Sequence, residues 1–353
     1  MKRNNPKTKE NFNIKVAVVG YGYWGPNLVR NFSELEEVKL SACCDLRQER
    51  LNIVKRKYSQ IYVTTKFEEI LNDKTIDAVI IATPLSFHYR LAKQALLAGK
   101  HVWIEKPMVE SYDQAKELIK LAEKVNKILH VDHIFIYTEA VRAMKKIIDS
   151  RELGKIYYFN STRINLGLFQ PDTNVIWDLA THDISIMCYL LGKMPSSVCA
   201  FGASHVNKKI EDTAFLNFRF QGGISAQIQV SWLSPVKIRQ SLLVGSKRMI
   251  VYNDLETSEK LKIYDRRIAM KKDLSLTSST TGYHYRTGDI FSPALEIKEA
   301  LHTQASHFIK CIKFGRKTLT SGQEGLRVVK ILEAASESLK IGGGMIKIHS
   351  ISY

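Results

Sequence analysis

The sequence predicts a two-domain α/β protein in which a doubly wound parallel sheet is followed by an antiparallel or mixed sheet. Three observations carry this. Up to about residue 136, short apolar, β-branched runs alternate with helical segments across short connections. A glycine-rich turn, GYGYWG at 20–25, closes the first run and opens the first helical segment. Beyond about residue 197 the β-rich segments follow one another without intervening helices, which favours antiparallel pairing. A chain of 353 residues is long enough for two domains of ordinary size.

KVAVVG (15–20) reads as a buried parallel strand, followed by a helix from Gly25 to about Phe32. KLSACCD (39–45), IYVT (61–64), DAVIIATP (77–84), HVWIEKP (101–107) and ILHVDHIF (128–135) read as the later strands of the same sheet. Between them lie helical patterns at 47–58, 66–73, 88–100 and 111–126. Gly99 suits a left-handed helix end, and Ser111 suits an N-cap. Pro84 and Pro107 each stop a strand, because proline fixes φ and removes a donor. A helix over about 138–150 leads to a strand at 155–165, then to the apolar helical run NVIWDLATHDISIMCYLLG (174–192). VCAFGASHV, TAFLNFRF, ISAQIQVSWL, RQSLLVGS and RMIVYN follow as strands, with Gly222-Gly223 as a hairpin turn. Helices over about 296–314 and 322–340 close the chain. The segment 266–295 has weak patterning and reads as a long functional loop or a partly mobile stretch.

Composition narrows the class. Hydrophobic content of 45% and charged content of 25% fit a soluble globular protein. There is no apolar run of about 18 residues, so no membrane span is expected. Residues 1–13 are polar and basic, without the apolar core of a secretion signal, and read as a disordered lead-in. Five cysteines without a CxxC pair fit buried thiols in a cytoplasmic protein, and no metal site is expected. The net charge of +17 raises nucleic acid as a partner, but the basic residues are dispersed. A solvated basic surface, or steering of an anionic small molecule, accounts for them better.

The turn at 20–25 is the strongest motif. GxGxxG alone is weak evidence, but here it joins a strand to a helix and the next strand ends in an acid, Asp45. Gly20 permits the tight turn, Gly22 lets the backbone approach a pyrophosphate, and Gly25 lets helix pack on strand. The helix N-terminus then offers unpaired N–H groups to phosphates. A carboxylate at Asp45 accepts from ribose hydroxyls and repels a 2′-phosphate, favouring NAD over NADP, although Arg47 stands close enough to blunt that preference. Thr83-Pro84 and Glu105-Lys106-Pro107 occupy later strand ends, the edge where such sheets bind ligands.

With VAVVGYGYWG, ATPLSFH, ALLAGKHVWIEKP and the DLATHD segment in this order and spacing, the chain resembles the Gfo/Idh/MocA family of NAD(P)-dependent sugar and cyclitol oxidoreductases, over about residues 14–340. AGKHVWIEKP is the most specific of these motifs. The resemblance implies an α/β N-terminal Rossmann domain at 14–136. It also implies an α+β C-terminal domain with a large open, mostly antiparallel sheet at 137–353, which binds substrate and forms a homodimer or homotetramer. It implies cofactor contacts from Gly20, Gly22, Tyr23, Trp24, Gly25, Asp45, Thr83, Pro84, His88, Glu105 and Lys106, and a catalytic set of Lys106, Asp178 and His182. Many members carry glycines just before the aspartate, whereas this chain reads Asn174-Val175-Ile176-Trp177. That form, with RINLG at 163–167, resembles the branch that includes UDP-N-acetylglucosamine 3-dehydrogenases.

The chemistry so implied is hydride removal from a secondary sugar hydroxyl, at C3 of a UDP-N-acetylhexosamine such as UDP-GlcNAc, in bacterial surface-glycan or lipid A biosynthesis. An aminotransferase is the implied pathway neighbour. Asp178 and His182 are four residues apart and share a face on a helix, which suits a general base and its orienting partner. Lys106 can stabilise charge developing on the reacting oxygen. Asp183 lies one residue off that face and is expected to support it. Arg163 and Asn174 are candidate substrate contacts, with a salt bridge the equal alternative for Arg163. Trp177 could stack on substrate or serve as a core aromatic. A 3-ketosugar reductase, an inositol or free-sugar dehydrogenase, and a non-catalytic NAD-binding regulator are the competing readings.

Overall fold

The computed structural model describes residues 14–170, 173–270, 283–296 and 298–349, so the lead-in expected at 1–13 lies outside the described residues. The chain divides into two compact units. One runs to Asp132 and takes in Leu301–Gln323, and the other comprises His133–Ala300 and Glu324 onward.

The first unit holds, among the described residues, a six-stranded parallel sheet in the order β3-β2-β1-β4-β5-β6. Its strands are β1 (Ile14–Val19), β2 (Val38–Cys44), β3 (Tyr62–Thr64), β4 (Ala78–Ile81), β5 (His101–Ile104) and β6 (Leu129–Val131). They are the apolar runs of the sequence, and β1, β4 and β5 are buried along nearly their whole length, as a sheet covered on both faces requires. Helices α1 (Gly25–Ser33), α2 (Gln48–Lys57), α3 (Phe67–Asn72), α4 (Leu85–Leu97) and α5 (Tyr112–Lys124) connect them. Ser111 caps α5 by accepting from Gln114 N. The strand order reverses between β2 and β4 across β1, so the turn after β1 stands at the switch point where such sheets bind ligands. Strand β6 is shorter than its apolar run, because the chain turns into a 3-10 segment at Ile134–Tyr137.

Helix α8 (Ala300–Phe314), which the expected boundaries assign to the second domain, packs in the first unit. Gln304 Nε2 donates to the Val131 carbonyl, and the Phe308 ring meets Trp103 and His130 at centroid distances of 5.6 and 5.3 Å. The helix covers the end of the sheet that β6 leaves open.

The second unit is built on a nine-stranded sheet among the described residues, in the order β14-β13-β12-β11-β7-β10-β9-β8-β15. These are β7 (Ile156–Leu166), β8 (Ser197–Ala203), β9 (Thr213–Arg219), β10 (Ser225–Ser231), β11 (Leu233–Gly245), β12 (Met249–Asn253), β13 (Leu261–Met270), β14 (Tyr283–Phe291) and β15 (Ile346–Lys347). All pairings are antiparallel except β10 with β7. Alternate side chains of β9 and β10 enter a core shared with α6 (Glu139–Asp149), α7 (Thr181–Leu191) and α9 (Gly322–Lys340). The opposite face carries the exposed aromatics Phe201 and Phe215 and a shallow hollow of about 530 Å³ lined by residues including Tyr158, Asn160 and Asn217.

The reading of 266–295 as a loop or mobile stretch is corrected by β13 and β14, which pair antiparallel. The physical reason lies in β14, whose described side chains are nearly all exposed, so burial imposes no alternation on its sequence. The part of that stretch at 271–282 lies outside the described residues.

His101 gives the first unit an acid-sensitive contact. Its Nδ1 accepts from Ile128 N at 3.0 Å, and burial, with Lys127 beside it, pulls the imidazole down to about 4. Between that value and the unfolded value of about 6.5, the unfolded chain binds a proton that the folded chain refuses. Stability from this group is therefore complete above about pH 6.5 and lost as pH falls toward 4, by about 2–3 kcal/mol. Urea denaturation at successive pH values should show the advantage of wild type over His101→Gln shrinking across that window.

Candidate functional site

The glycine turn has the form that phosphate binding needs. Gly20 adopts φ +98°, and a Cβ there would lie 2.4 Å from the Ala82 carbonyl oxygen. A Cβ on Gly25 would lie 2.3 Å from the Gly20 oxygen, so α1 sits against the turn as closely as backbone allows. A Cβ on Gly22 would meet nothing within 4 Å, which leaves the middle of the turn open to a ligand. Pro26 stands in the first turn of α1, where no N–H is lost from the helix.

Asp45 completes this cradle from the end of β2. It is 8% exposed, its Oδ2 accepts from Tyr21 N at 2.7 Å, and its Oδ1 accepts from Arg47 N at 2.9 Å and Arg47 Nε at 3.4 Å. The carboxylate thus fixes the turn and retains lone pairs for ribose hydroxyls. The Arg47 pairing expected from the sequence is present, with the guanidinium half exposed. These residues fit a dinucleotide, and when bound its nicotinamide supplies the hydride acceptor.

The other expected contacts divide. Tyr23 is largely exposed. Trp24 turns its indole toward Asp132 beyond β6. Thr83 and Pro84 form the turn between β4 and α4. His88, expected among the cofactor contacts, is buried in the first turn of α4, which begins at Leu85. Its Nε2 lies 2.8 Å from the Thr83 carbonyl and its Nδ1 lies 2.9 Å from the Pro107 carbonyl, tying two strand-end turns together. Burial pulls the ring's proton affinity down, while the carbonyls it meets oppose that shift. Glu105 and Lys106 follow β5 directly, with Lys106 N donating to Glu105 Oε2 at 3.3 Å.

In the second unit the apolar run at 174–192 is not one uniform helix. Ile176–Ala180 forms a π-helical turn, and α7 starts at Thr181. Wide turns of this kind often mark functional positions. Asn174 Oδ1 accepts from Trp177 N at 3.2 Å and its Nδ2 donates to Glu211 at 2.9 Å, so Asn174 serves the start of the turn. Trp177 is half-buried and donates from Nε1 to Ser336 Oγ at 2.9 Å.

Three polar side chains then separate. Asp183, one residue beyond His182, is buried and accepts from Arg163 Nε at 2.7 Å and Nη2 at 3.3 Å. Ser161 Oγ donates to the same carboxylate at 2.7 Å. Arg163 is 3% exposed and its guanidinium lies 4.4 Å from the Phe135 ring centre. The salt-bridge alternative for Arg163 is thus present, in the core and not at the surface. Asp178 and His182 are half-buried. Asp178 Oδ2 accepts from the indole Nε1 of fully buried Trp232 at 3.0 Å, and His182 packs edge-on against Phe135 at 4.9 Å. Trp232, Phe135 and Asp132 escaped the sequence reading. Only Asp132 had a legible signal, an acid directly after a buried strand as at Asp45.

Two family models match the chain. The Gfo/Idh/MocA oxidoreductase family with an NAD-binding Rossmann fold matches residues 14–133, and the Gfo/Idh/MocA C-terminal domain matches residues 141–251. The chain belongs to the Gfo/Idh/MocA family. It is an NAD-binding oxidoreductase with the two-sheet fold expected from the sequence. The scyllo-inositol 2-dehydrogenase (NADP+) IolW of Bacillus subtilis is 25% identical over 351 residues, covering 93% of this chain and 94% of IolW. Levoglucosan dehydrogenase, solved with NADH and L-sorbose, shares the fold at a TM-score of 0.81 and 20% identity, covering 96% of this chain and 99% of that one. UDP-N-acetylglucosamine 3-dehydrogenase GnnA from Acidithiobacillus ferrooxidans does so at 0.77 and 23%, covering 94% and 99%. Among the described residues no helix is long and apolar enough to cross a membrane.

Two variants test this geometry. If Asp45 binds ribose as the sequence leads one to expect, Asp45→Ala removes that acceptor together with the acceptor for Tyr21 N, so calorimetry should show NADH affinity falling about tenfold or more and the preference over NADPH narrowing. Asp183→Asn leaves the Arg163 charge buried without a carboxylate, so chemical denaturation should show a loss of about 3–5 kcal/mol, largely recovered by Arg163→Met with Asp183→Leu.

Proposed function

We propose that this Gfo/Idh/MocA chain oxidises a secondary sugar hydroxyl with NAD, at C3 of a UDP-N-acetylhexosamine such as UDP-GlcNAc. The carrying observation is the split on the apolar run. Asp183 is sealed in the core by Arg163, whereas Asp178 and His182, four residues apart, keep half-buried polar groups oriented by Trp232 and Phe135. A helix held only by packing requires neither an aspartate nor a histidine at those positions.

In this reading His182 takes the hydroxyl proton as general base, since a neutral imidazole presents a ring nitrogen that accepts one. Asp178, held in place by the Trp232 N–H, orients that base or a sugar hydroxyl. Lys106 donates to the reacting oxygen as negative charge develops on it. Asn174 and Trp177 remain substrate contacts in the proposal, while Arg163 drops out because Asp183 occupies its guanidinium. The nucleotide-linked substrate rests on the Asn174–Trp177 form of the motif, on the basic surface that would draw in an anionic diphosphate, and on the likeness to GnnA. We place the protein in the cytoplasm, upstream of an aminotransferase that consumes the keto sugar, as a homo-oligomer joined through the exposed sheet face.

Mixing the protein with NAD and UDP-GlcNAc, together with an aminotransferase and its amino donor to draw off product, should produce NADH absorbance. A response to inositols or free sugars alone would move the substrate to the second reading, that of an inositol or free-sugar dehydrogenase. His182→Ala should keep NADH affinity and lose about 10²–10⁴ in kcat. Undiminished turnover would remove His182 as the base.

A further inference from the structure

Strands β5 and β6 are parallel neighbours in register at Ile104 and Val131, so the residues that follow them emerge side by side. Those residues are Glu105 and Asp132, and Asp132 N donates to the Ile104 carbonyl at 2.9 Å. The two carboxyl groups face each other. Asp132 is 2% exposed, and both its oxygens, with Glu105 Oε1, are shielded from water. Trp24 Nε1 and the Gln304 amide approach Asp132 without completing a hydrogen bond of ordinary geometry. Two ionised carboxylates would thus stand together in a dry site with no donor between them, which like-charge repulsion and desolvation both oppose.

We propose that Glu105 and Asp132 share one proton, as a carboxylic acid hydrogen-bonded to a carboxylate, and act as a single negative charge that holds the Lys106 ammonium in position. The proton supplies the missing donor, and the remaining charge is the counter-ion for the ammonium one residue along. Burial and the neighbouring carboxylate push Glu105 well above the usual carboxylate range, and burial raises Asp132 as well. Lys106 is the cation that opposes these shifts. Burial lowers the proton affinity of His88, which meets the Pro107 carbonyl, and His130 is engaged by Gln304 at 2.9 Å. The net charge beside Lys106 is therefore set by this pair. The trait links the glycine turn to the EKP segment, because Trp24 closes the turn and faces Asp132.

The inference rests on the proposed function only for the use made of Lys106, and its test needs neither substrate nor turnover. Infrared spectra of the cofactor-free protein at neutral pH should contain the carbonyl stretch of a protonated carboxylic acid. That band should vanish in Glu105→Gln and in Asp132→Asn, because the amide then donates to an ionised partner. A band unchanged in both variants would overturn the shared proton. The second readout is the pH dependence of reductive methylation at Lys106, followed by peptide mass spectrometry. Each single variant keeps one negative charge and should keep the wild-type midpoint. The double variant Glu105→Gln with Asp132→Asn keeps none, and its midpoint should fall by about one pH unit or more. A double variant with the wild-type midpoint would overturn the counter-ion role, since loss of a merely structural contact does not move a titration.

Discussion

An arginine and an aspartate taken out of water must replace each other's solvation, and the second unit is arranged around that requirement. Arg163 and Asp183 are both almost fully buried, and each nitrogen–oxygen contact between them is reinforced by Ser161 or by the Phe135 ring. Because Arg163 lies on β7 and Asp183 on α7, the pair fixes the rotation of the helix against the sheet. Once Asp183 points inward, the neighbouring His182 cannot point the same way. Phe135 serves both sides, with the guanidinium over its ring and the His182 ring at its edge. The ion pair thus decides which polar residues of the run remain half exposed for chemistry.

The first unit meets a similar constraint through the backbone. A chain that turns sharply at the end of a buried strand leaves N–H groups without ladder partners. Asp45 accepts the Tyr21 N–H, and the His88 ring ties the turns at Thr83 and Pro107. The same side chains that satisfy these turns hold the dinucleotide edge in shape. That explains why residues resembling ligand contacts in the sequence have protein partners in the structure.

What was legible in the sequence follows from these constraints. Strands β1, β4 and β5 are buried through, so their composition is dictated and their positions were readable to within a few residues. Gly20 and Gly25 were readable because a Cβ at either would strike backbone. Strand β14 was not readable, because an exposed ribbon places no demand on its residue types. The placement of α8 was hidden for another reason. Its apolar face is satisfied by any core, and only the contacts of Gln304 and Phe308 with β6 and its neighbours reveal which one it covers. The π-helical turn at Ile176–Ala180 was equally hidden, since it uses ordinary helix-forming residues.

Buried polar residues in apolar segments therefore need to be sorted by partner before they are assigned to chemistry. Asp183 and His88 interrupt apolar segments as conspicuously as His182 does, yet each is consumed by groups of its own unit. Glu105 and Asp132 are different again, because Glu105 Oε1 and both Asp132 oxygens lack an ordinary donor, and the two groups complement each other only if a proton lies between them. A bound proton is invisible in a sequence pattern, and a carboxylate at a strand end looks the same whether it binds ribose, as proposed for Asp45, or holds half of an acid pair. The distinction arises from the neighbouring strand. Asp45 follows β2, whose neighbour β3 ends at Thr64 and continues into Thr65, whereas Glu105 follows β5, whose neighbour β6 continues into Asp132. Sheet order, and not residue identity, sets these two acids apart.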